Sequence, residues 1–471
     1  MGRPISRSVE SRPVLFVARE PDETLRTFLP VIDRLRDDGG RASAVLFHHV
    51  PSIWARAELA ARGVTIHEVA LPQSVLPARL ARLRGASTLD EIGRFRHART
   101  LARTLLDRLQ PAAVVVIQDT LLLERFLVRE ANARGLPTLV VQWAFSYEQA
   151  MYDRIRSIQY ARPAGTTRTS LPRRVLSPLT RTAYQFALRG LGVGFDLVNS
   201  YGGGEARLFA VMGEAFREQF IRQGVRGKRI VPTGHPTHDA VFQRAQTIDA
   251  AERLAIRQRY ALAPDRTIVL YATQPVLWRK VMTRETLERN VRAIADAVSE
   301  HPGAELVFKL HPREDPSDYA FCDTFAPPVR VIAQAEMPDL IAACDLFVSS
   351  SSSTVLLAMM LDRPIITVNF DEVPHFDQFE GIGGTIHVRT HDRFAEALRS
   401  LLADPAAGAA LRQARQDVVA RYTRFDGRAA ERIAALVLEA LAAPAGPNGT
   451  ARVVPATIAA APDRTASEVR S

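Results

Sequence analysis

Three short apolar runs between Glu305 and Phe370 constrain the fold more than any other part of the chain. Glu305–Leu310 ends in His311–Pro312, Asp345–Val348 ends in Ser349–Thr354, and Pro364–Asn369 follows the apolar helical stretch Val355–Leu361. A strand with one wet face alternates apolar and polar residues. These runs do not alternate, so both faces are expected to be covered, as in a parallel sheet flanked by helices. Such a sheet binds ligands in the crevice beyond the carboxyl ends of its strands, where the histidine and the hydroxyl residues collect. Ser349 through Thr354 open directly into a helix, whose unpaired amides and dipole favour an anion such as phosphate.

With 471 residues, 47% of them hydrophobic and 24% charged, the chain has ample material for two large α/β domains. The net charge of +10 is unevenly placed: eight arginines face one acid, Asp153, between Met151 and Gly190. Apolar residues such as Ile155, Ile158, Leu171 and Phe186 are interspersed with these arginines, so the expected partner of the segment is an anionic membrane surface or a lipid-linked glycan. No nucleic-acid recognition motif or aromatic platform accompanies it, so no nucleic acid is expected. Two cysteines, Cys322 and Cys344, form neither a disulfide framework nor a metal-ligand spacing. The chain carries no membrane-spanning apolar run and no signal-peptide core, and a cytoplasmic location at the inner face of the membrane is expected.

Strands are expected at Val14–Ala18, Ala44–Phe47, Thr65–Val69, Ala113–Ile117, Thr138–Gln142, Asp196–Asn199, Leu208–Met212 and Lys228–Pro232, with helices between most of them. The alternation implies a doubly wound parallel sheet. Thr233–Asp239, punctuated by Gly234 and Pro236, marks a hinge. A second βα series runs from Thr267–Tyr271 to Ile386–Val388, and two terminal helices follow, the last expected to pack back on the first domain. The domains are thus a disordered leader 1–11, an N-terminal domain 12–233 with the basic insertion 151–190, a C-terminal domain 234–442 with the terminal helices, and a disordered tail 443–471.

The order of these motifs resembles the GT-B superfamily, in which two Rossmann-like domains face each other across a cleft. The resemblance is carried by Arg19–Glu20 after the first strand, Gln118–Asp119–Thr120, Val231–Gly234 to Asp239, Lys309–Leu310–His311–Pro312, and the serine loop with Arg363–Pro364. Within the superfamily the chain is similar to capsule and teichoic-acid type transferases, including CDP-glycerol glycerophosphotransferases and sialyltransferases with a His-Pro motif, and to non-hydrolysing UDP-N-acetylglucosamine 2-epimerases. The resemblance implies a metal-independent glycosyltransferase that moves a sugar, or in second place a polyol phosphate, from a nucleotide donor to a cell-envelope polysaccharide or its lipid-linked precursor. It needs no cofactor, since the nucleotide-activated donor is a substrate.

By the same resemblance Asp119, His311 and His235 are the catalytic candidates, with His311 neutralising charge on the leaving nucleotide. Ser350, Ser351, Ser352, Ser353, Thr354, Gly234, Gln274 and Glu372 are expected to bind the donor, and Arg19 and His48 to contact the acceptor or a phosphate. Each also has an ordinary structural reading as a cap or turn residue. Leu357 stands where relatives hold the donor ribose with a glutamate, and Glu372 is offered in its place. Two alternatives remain: an epimerase-like isomerase, and a non-catalytic nucleotide- or glycan-binding descendant. Val141–Gln142–Trp143–Ala144 and Thr273–Gln274–Pro275 replace acid and histidine positions of the epimerases, and neither Gln nor Trp exchanges protons near neutral pH.

Overall fold

The computed structural model describes residues 12–19, 21–72, 74–75, 86–146, 202–225, 229–326 and 329–443. The arginine-rich segment, the strand expected at Asp196–Asn199, and the leader and most of the tail lie outside these residues. Seven strands, β1 (Val14–Ala18), β2 (Ser43–Phe47), β3 (Thr65–Glu68), β4 (Ala113–Val116), β5 (Thr138–Val141), β6 (Leu208–Val211) and β7 (Ile230–Pro232), form one parallel sheet in the order β3-β2-β1-β4-β5-β6-β7. Along β1 the side chains alternate between two cores: Val14, Phe16 and Ala18 face one, Leu15 and Val17 the other, and all five are fully buried. Burial on both faces is why the run shows no polar alternation.

Helices α1 (Pro21–Gly39) and α2 (Ile53–Ala61) cover one face of this sheet, and α3 (Ala86–Leu109), α4 (Leu122–Ala133) and α5 (Glu214–Arg222) the other. A second parallel sheet contains β8 (Thr267–Ala272), β9 (Ala304–Lys309), β10 (Arg330–Ile332), β11 (Leu346–Ser349), β12 (Ile365–Val368) and β13 (Ile386–Val388), in the order β10-β9-β8-β11-β12-β13. Its faces are covered by α6 (Pro236–Thr247), α7 (Ala250–Arg259), α9 (Met337–Ala343), α10 (Thr354–Met360) and α13 (Arg412–Tyr422) on one side. On the other lie α8 (Arg284–Ser299) and α11 (His391–Ala403), with α12 (Pro405–Ala410) beside them. The edge strand β10 was not expected from the sequence, because one exposed and two half-buried residues carry no periodic signal.

The last helix, α14 (Ala429–Ala442), returns to the first domain, where Ile433 and Val437 pack with Phe28, Val31 and Leu35 of α1. The chain therefore crosses between the domains twice, and the residues of the hinge motif hold the crossing. A Cβ on Gly234, whose φ is +86°, would lie 2.7 Å from the Arg424 carbonyl oxygen and 2.9 Å from Ala429 Cβ. The Asp239 carboxylate accepts the N–H groups of Ala429 and Ala430 at 2.9 Å each and so caps α14. His238 Nδ1 lies 3.1 Å from Thr423 Oγ1, and Arg432 donates to the Thr233 carbonyl at 2.8 Å. Phe145 links the domains by packing against Phe216 of the first, Phe379 of the second and Tyr422 of α13. Gly234, expected at the donor, belongs to this crossing instead.

The close approach gives a first prediction. Gly40 also has a positive φ, +57°, yet nothing lies within 4 Å of its Cβ position, so Gly40→Ala reports backbone strain alone, on the order of 1 kcal/mol. Gly234→Ala adds a backbone clash and is expected to lower the denaturant midpoint clearly further; equal shifts for the two variants would contradict the tight crossing.

Candidate functional site

Strand order locates two crevices. In the first sheet the order reverses between β1 and β4, in the second between β8 and β11. At such a reversal the two crossovers leave in opposite directions and open a cleft beyond the carboxyl ends.

In the second domain the crevice collects Thr273 and Gln274 after β8, His311 after β9, the serine loop after β11, and Asp371 after β12. Glu314 organises the histidine turn: it accepts the His311 backbone N–H at 2.8 Å, the Tyr319 hydroxyl at 2.8 Å and the Thr273 hydroxyl. His311 Nδ1 accepts the Arg313 N–H at 3.1 Å, which leaves the ring proton on Nε2. Burial, reinforced by the positive charges of Arg279, Arg313 and Lys309, pushes the His311 imidazolium down to about 4. The expected charged contact is thus corrected. His311 enters neutral, as an N–H donor, and the positive potential comes from the cations around it. Arg313 lies over the exposed ring of Trp278, 5.2 Å from its centroid.

The serine loop divides its hydroxyls. Ser349 Oγ donates to the Ala272 carbonyl at 3.0 Å, Ser350 Oγ meets the Tyr271 hydroxyl at 3.2 Å, and Ser352 Oγ accepts the Thr354 N–H at 3.2 Å. Ser353 occupies the cap position without a side-chain cap bond. Ser351 Oγ and Thr354 Oγ1 are buried and have no hydrogen-bond partner among the described residues. A buried hydroxyl left unbonded costs about 1–3 kcal/mol, so these two are the loop's candidates for a ligand contact. Gln274 turns its amide back onto the Thr273 carbonyl at 3.0 Å. Glu372 is exposed, with φ +52°, and its neighbour Asp371 lines the crevice, held by Arg289 at 2.7 Å and Asn290 at 2.5 Å. Leu357 packs into the core beneath the loop.

The first domain's crevice is larger, a cavity of about 490 Å³ lined by Arg19, His48, His49, Arg94 and Glu124 with apolar neighbours. Arg19 and His48 stand where the sequence put them, just past β1 and β2. Glu124 was missed. It lies in the first turn of α4, between apolar residues that face the core, with its side chain 1% exposed. Its Oε1 is 3.6 Å from His48 Nε2, and neither atom has a hydrogen-bond partner among the described residues. The two do not form an ion pair. Burial pushes the Glu124 carboxyl up to about 7, against its own backbone N–H and the charge of Arg19. Burial, with Arg19 and His49, pushes the His48 imidazolium down to about 4. A lone acid within an apolar helical face was the available sequence signal.

The other catalytic candidates are closed in. Asp119 is fully buried; its Oδ2 accepts the Ala206 N–H at 3.2 Å, a Cβ on Gly204 would lie 2.7 Å from its Cγ, and burial raises its pKa against the charge of Arg229. It anchors residues 202–206 and does not face the cleft. His235, 4% exposed, caps α6: its Nδ1 lies 2.7 Å from Thr237 Oγ1, and burial lowers its pKa to about 4. Among the described residues Asp377, Glu380 and His387 have metal-ligand spacing, but Arg389 already pairs with both carboxylates, at 3.2 and 2.7 Å. No described helix is long and apolar enough to cross a membrane.

Residues 210–439 match the family model described as CDP-Glycerol:Poly(glycerophosphate) glycerophosphotransferase. No curated protein sequence matches the chain. Among solved structures, the UDP-GlcNAc 2-epimerase from Neisseria meningitidis bound to UDP-GlcNAc is 14% identical with a TM-score of 0.53, covering 91% of this chain and 100% of that one. The wall teichoic acid polymerase TagF, solved with CDPG, is 13% identical with a TM-score of 0.51, covering 91% and 89%. The glycotransferase of kitacinnamycin is 14% identical with a TM-score of 0.55, covering 91% and 99%. These likenesses agree with the two parallel sheets and show the fold to be GT-B.

The buried carboxyl predicts a pH signature. Between pH 4.5 and about 7 native Glu124 keeps a proton that the unfolded chain has released, so its contribution to stability falls as pH rises through that window and is level above it. Glu124→Gln removes this penalty. Relative to the wild type it is expected to be more stable at pH 8, by about 3 kcal/mol at most, and no more stable at pH 4.5. Chemical denaturation at the two pH values checks the difference.

Proposed function

We propose that this GT-B chain is a transferase that takes a nucleotide-activated group to a hydroxyl of a cell-envelope polymer or its lipid-linked precursor. The observation that carries the reading is the carboxyl edge of the second sheet, where the serine loop follows β11, the neutral His311 follows β9, and the charges of Arg279, Arg313 and Lys309 act on that histidine. The family match covers this domain, and the activity that describes the family favours a polyol phosphate as the transferred group, with a sugar as the second form of the same reading.

The mechanism follows from charge. As the bond to the nucleotide's phosphate breaks, negative charge grows on the leaving oxygen. Preformed donors aimed at that charge stabilise the transition state more than the ground state. Ser351 and Thr354 hydroxyls, loop amides and the Nε2–H of His311 supply such donors, and the surrounding guanidinium groups supply the field. A bound phosphate would in turn raise the His311 pKa, so its contact strengthens as charge develops. The carboxylates Glu314 and Asp371 are engaged by Thr273, Tyr319, Arg289 and Asn290. Neutralisation in this scheme comes from protein cations. The epimerase reading keeps the fold but lacks the cleft acid that Asp119 was expected to supply.

Thermal-shift titration tests the donor site. CDP or UDP is expected to stabilise the protein more than the corresponding nucleoside does. His311→Ala should cost about 1–1.5 kcal/mol of diphosphate affinity and little nucleoside affinity. Ser351→Ala should cost less, because the loop amides remain. Equal binding of nucleoside and diphosphate by the wild type would refute the phosphate site and, with it, the transferase reading.

A further inference from the structure

We propose that the cavity at the β1–β4 reversal is the acceptor site, that it takes an alcohol carrying a phosphate group, and that Glu124 is the base that removes the alcohol's proton. The proposal deepens the transferase reading and rests on it. Four observations support it independently of any relative.

The first is volume and place. About 490 Å³ is within the range of small-molecule sites, roughly 300–1,000 Å³, and the cavity sits at the first sheet's own switch point. The second is the pair of unbonded atoms. Glu124 Oε1 and His48 Nε2 are 3.6 Å apart, buried, and without partners among the described residues. A hydroxyl within reach of both can donate to the carboxylate and accept from a protonated His48 Nε2, which satisfies two groups otherwise left costly. The third is charge. Arg19, from the end of β1, and Arg94, from α3, line the same space, and Arg94 Nε is buried with no hydrogen-bond partner among the described residues. A neutral alcohol would leave Glu124 as the one carboxylate facing two guanidinium groups in this lining, whereas a phosphate adds the missing negative charge and matches their fork geometry.

The fourth is basicity. The carboxyl is held near 7 by burial, against the lowering effect of Arg19, so it is ionised just above neutrality and still basic enough to accept a proton. Arg19, Arg94 and His49 are the other charged or titratable groups lining the space, and His48 remains neutral. In the transfer step the acceptor's O–H bond breaks and its proton passes to the Glu124 carboxylate. The freed oxygen pair forms the bond to the donor's electrophilic carbon or phosphorus. The bond from that atom to the nucleotide's phosphate oxygen breaks, and its electron pair leaves with the nucleotide.

The smallest probe with both features is sn-glycerol 3-phosphate, with glycerol and glycerate as the uncharged and carboxylate comparisons. Calorimetric titration of the full chain is expected to show the phosphate probe binding about tenfold or more tighter than either comparison. Arg94→Ala should lose about tenfold of that affinity. Nucleotide release from CDP-glycerol and UDP-N-acetylglucosamine, measured with the probe from pH 5.5 to 9, should rise through a midpoint near 7 in the wild type. Glu124→Gln should lower it about a hundredfold or more and remove the rise, with CDP and UDP binding unchanged. The proposal is overturned if the phosphate probe binds no better than glycerol, if Arg94→Ala binds it as well as the wild type, or if Glu124→Gln keeps the rate and its pH rise. Where neither donor is turned over, the binding titrations alone decide. Loss of diphosphate binding in the wild type would count against the donor reading, a separate measurement.

Discussion

Parallel pairing of strands buried on both faces is the constraint on which everything else in this molecule depends. Parallel neighbours need long crossovers, and helices supply them on both sides of each sheet. With both faces packed, only the carboxyl edges can open to ligand, and only where strand order reverses do the crossovers part. The two reversals, β1–β4 and β8–β11, therefore fix two crevices before any side chain is considered. The chain then places polar residues there. Arg19 and His48 follow β1 and β2, and the serine loop follows β11.

The two crevices handle charge differently. In the second domain the carboxylates are tied up by hydrogen bonds and an arginine, and the remaining field is positive, with a neutral histidine inside it. In the first, a carboxyl is buried with no donor to its Oε1 among the described residues, which is unfavourable for the ionised form and raises its proton affinity. A crevice with a neutral histidine in a positive field and one with a proton-holding carboxyl are thus placed on different sheets. The crossing at Gly234 and the cap that Asp239 gives α14 hold those sheets to each other.

Two expected site residues are buried for the same reason. Asp119 follows a strand at a carboxyl edge, as a ligand-facing acid would, and His235 stands at the hinge. Both are sealed by segments distant in sequence or by their own helix: residues 202–206 close over Asp119, and Thr237 with His238 encloses His235. Position after a strand brings a residue to the edge. Whether it meets solvent depends on what crosses above it.

The sequence by itself determined the described strands other than the edge strand β10, their parallel pairing, the return of the last helix and the loop of hydroxyls, because each is written in local periodicity, turn chemistry or an amphipathic face. It showed Arg19 and His48 at strand ends for the same reason. Only the tertiary structure decided which acids are reachable and which groups carry charge. Glu124 meets His48 across 76 residues of chain, Arg94 reaches their cavity from a third element, and Lys309, Arg279 and Arg313 surround His311. Proton affinity and accessibility depend on burial and on neighbours brought together by packing, and no local stretch of sequence contains them.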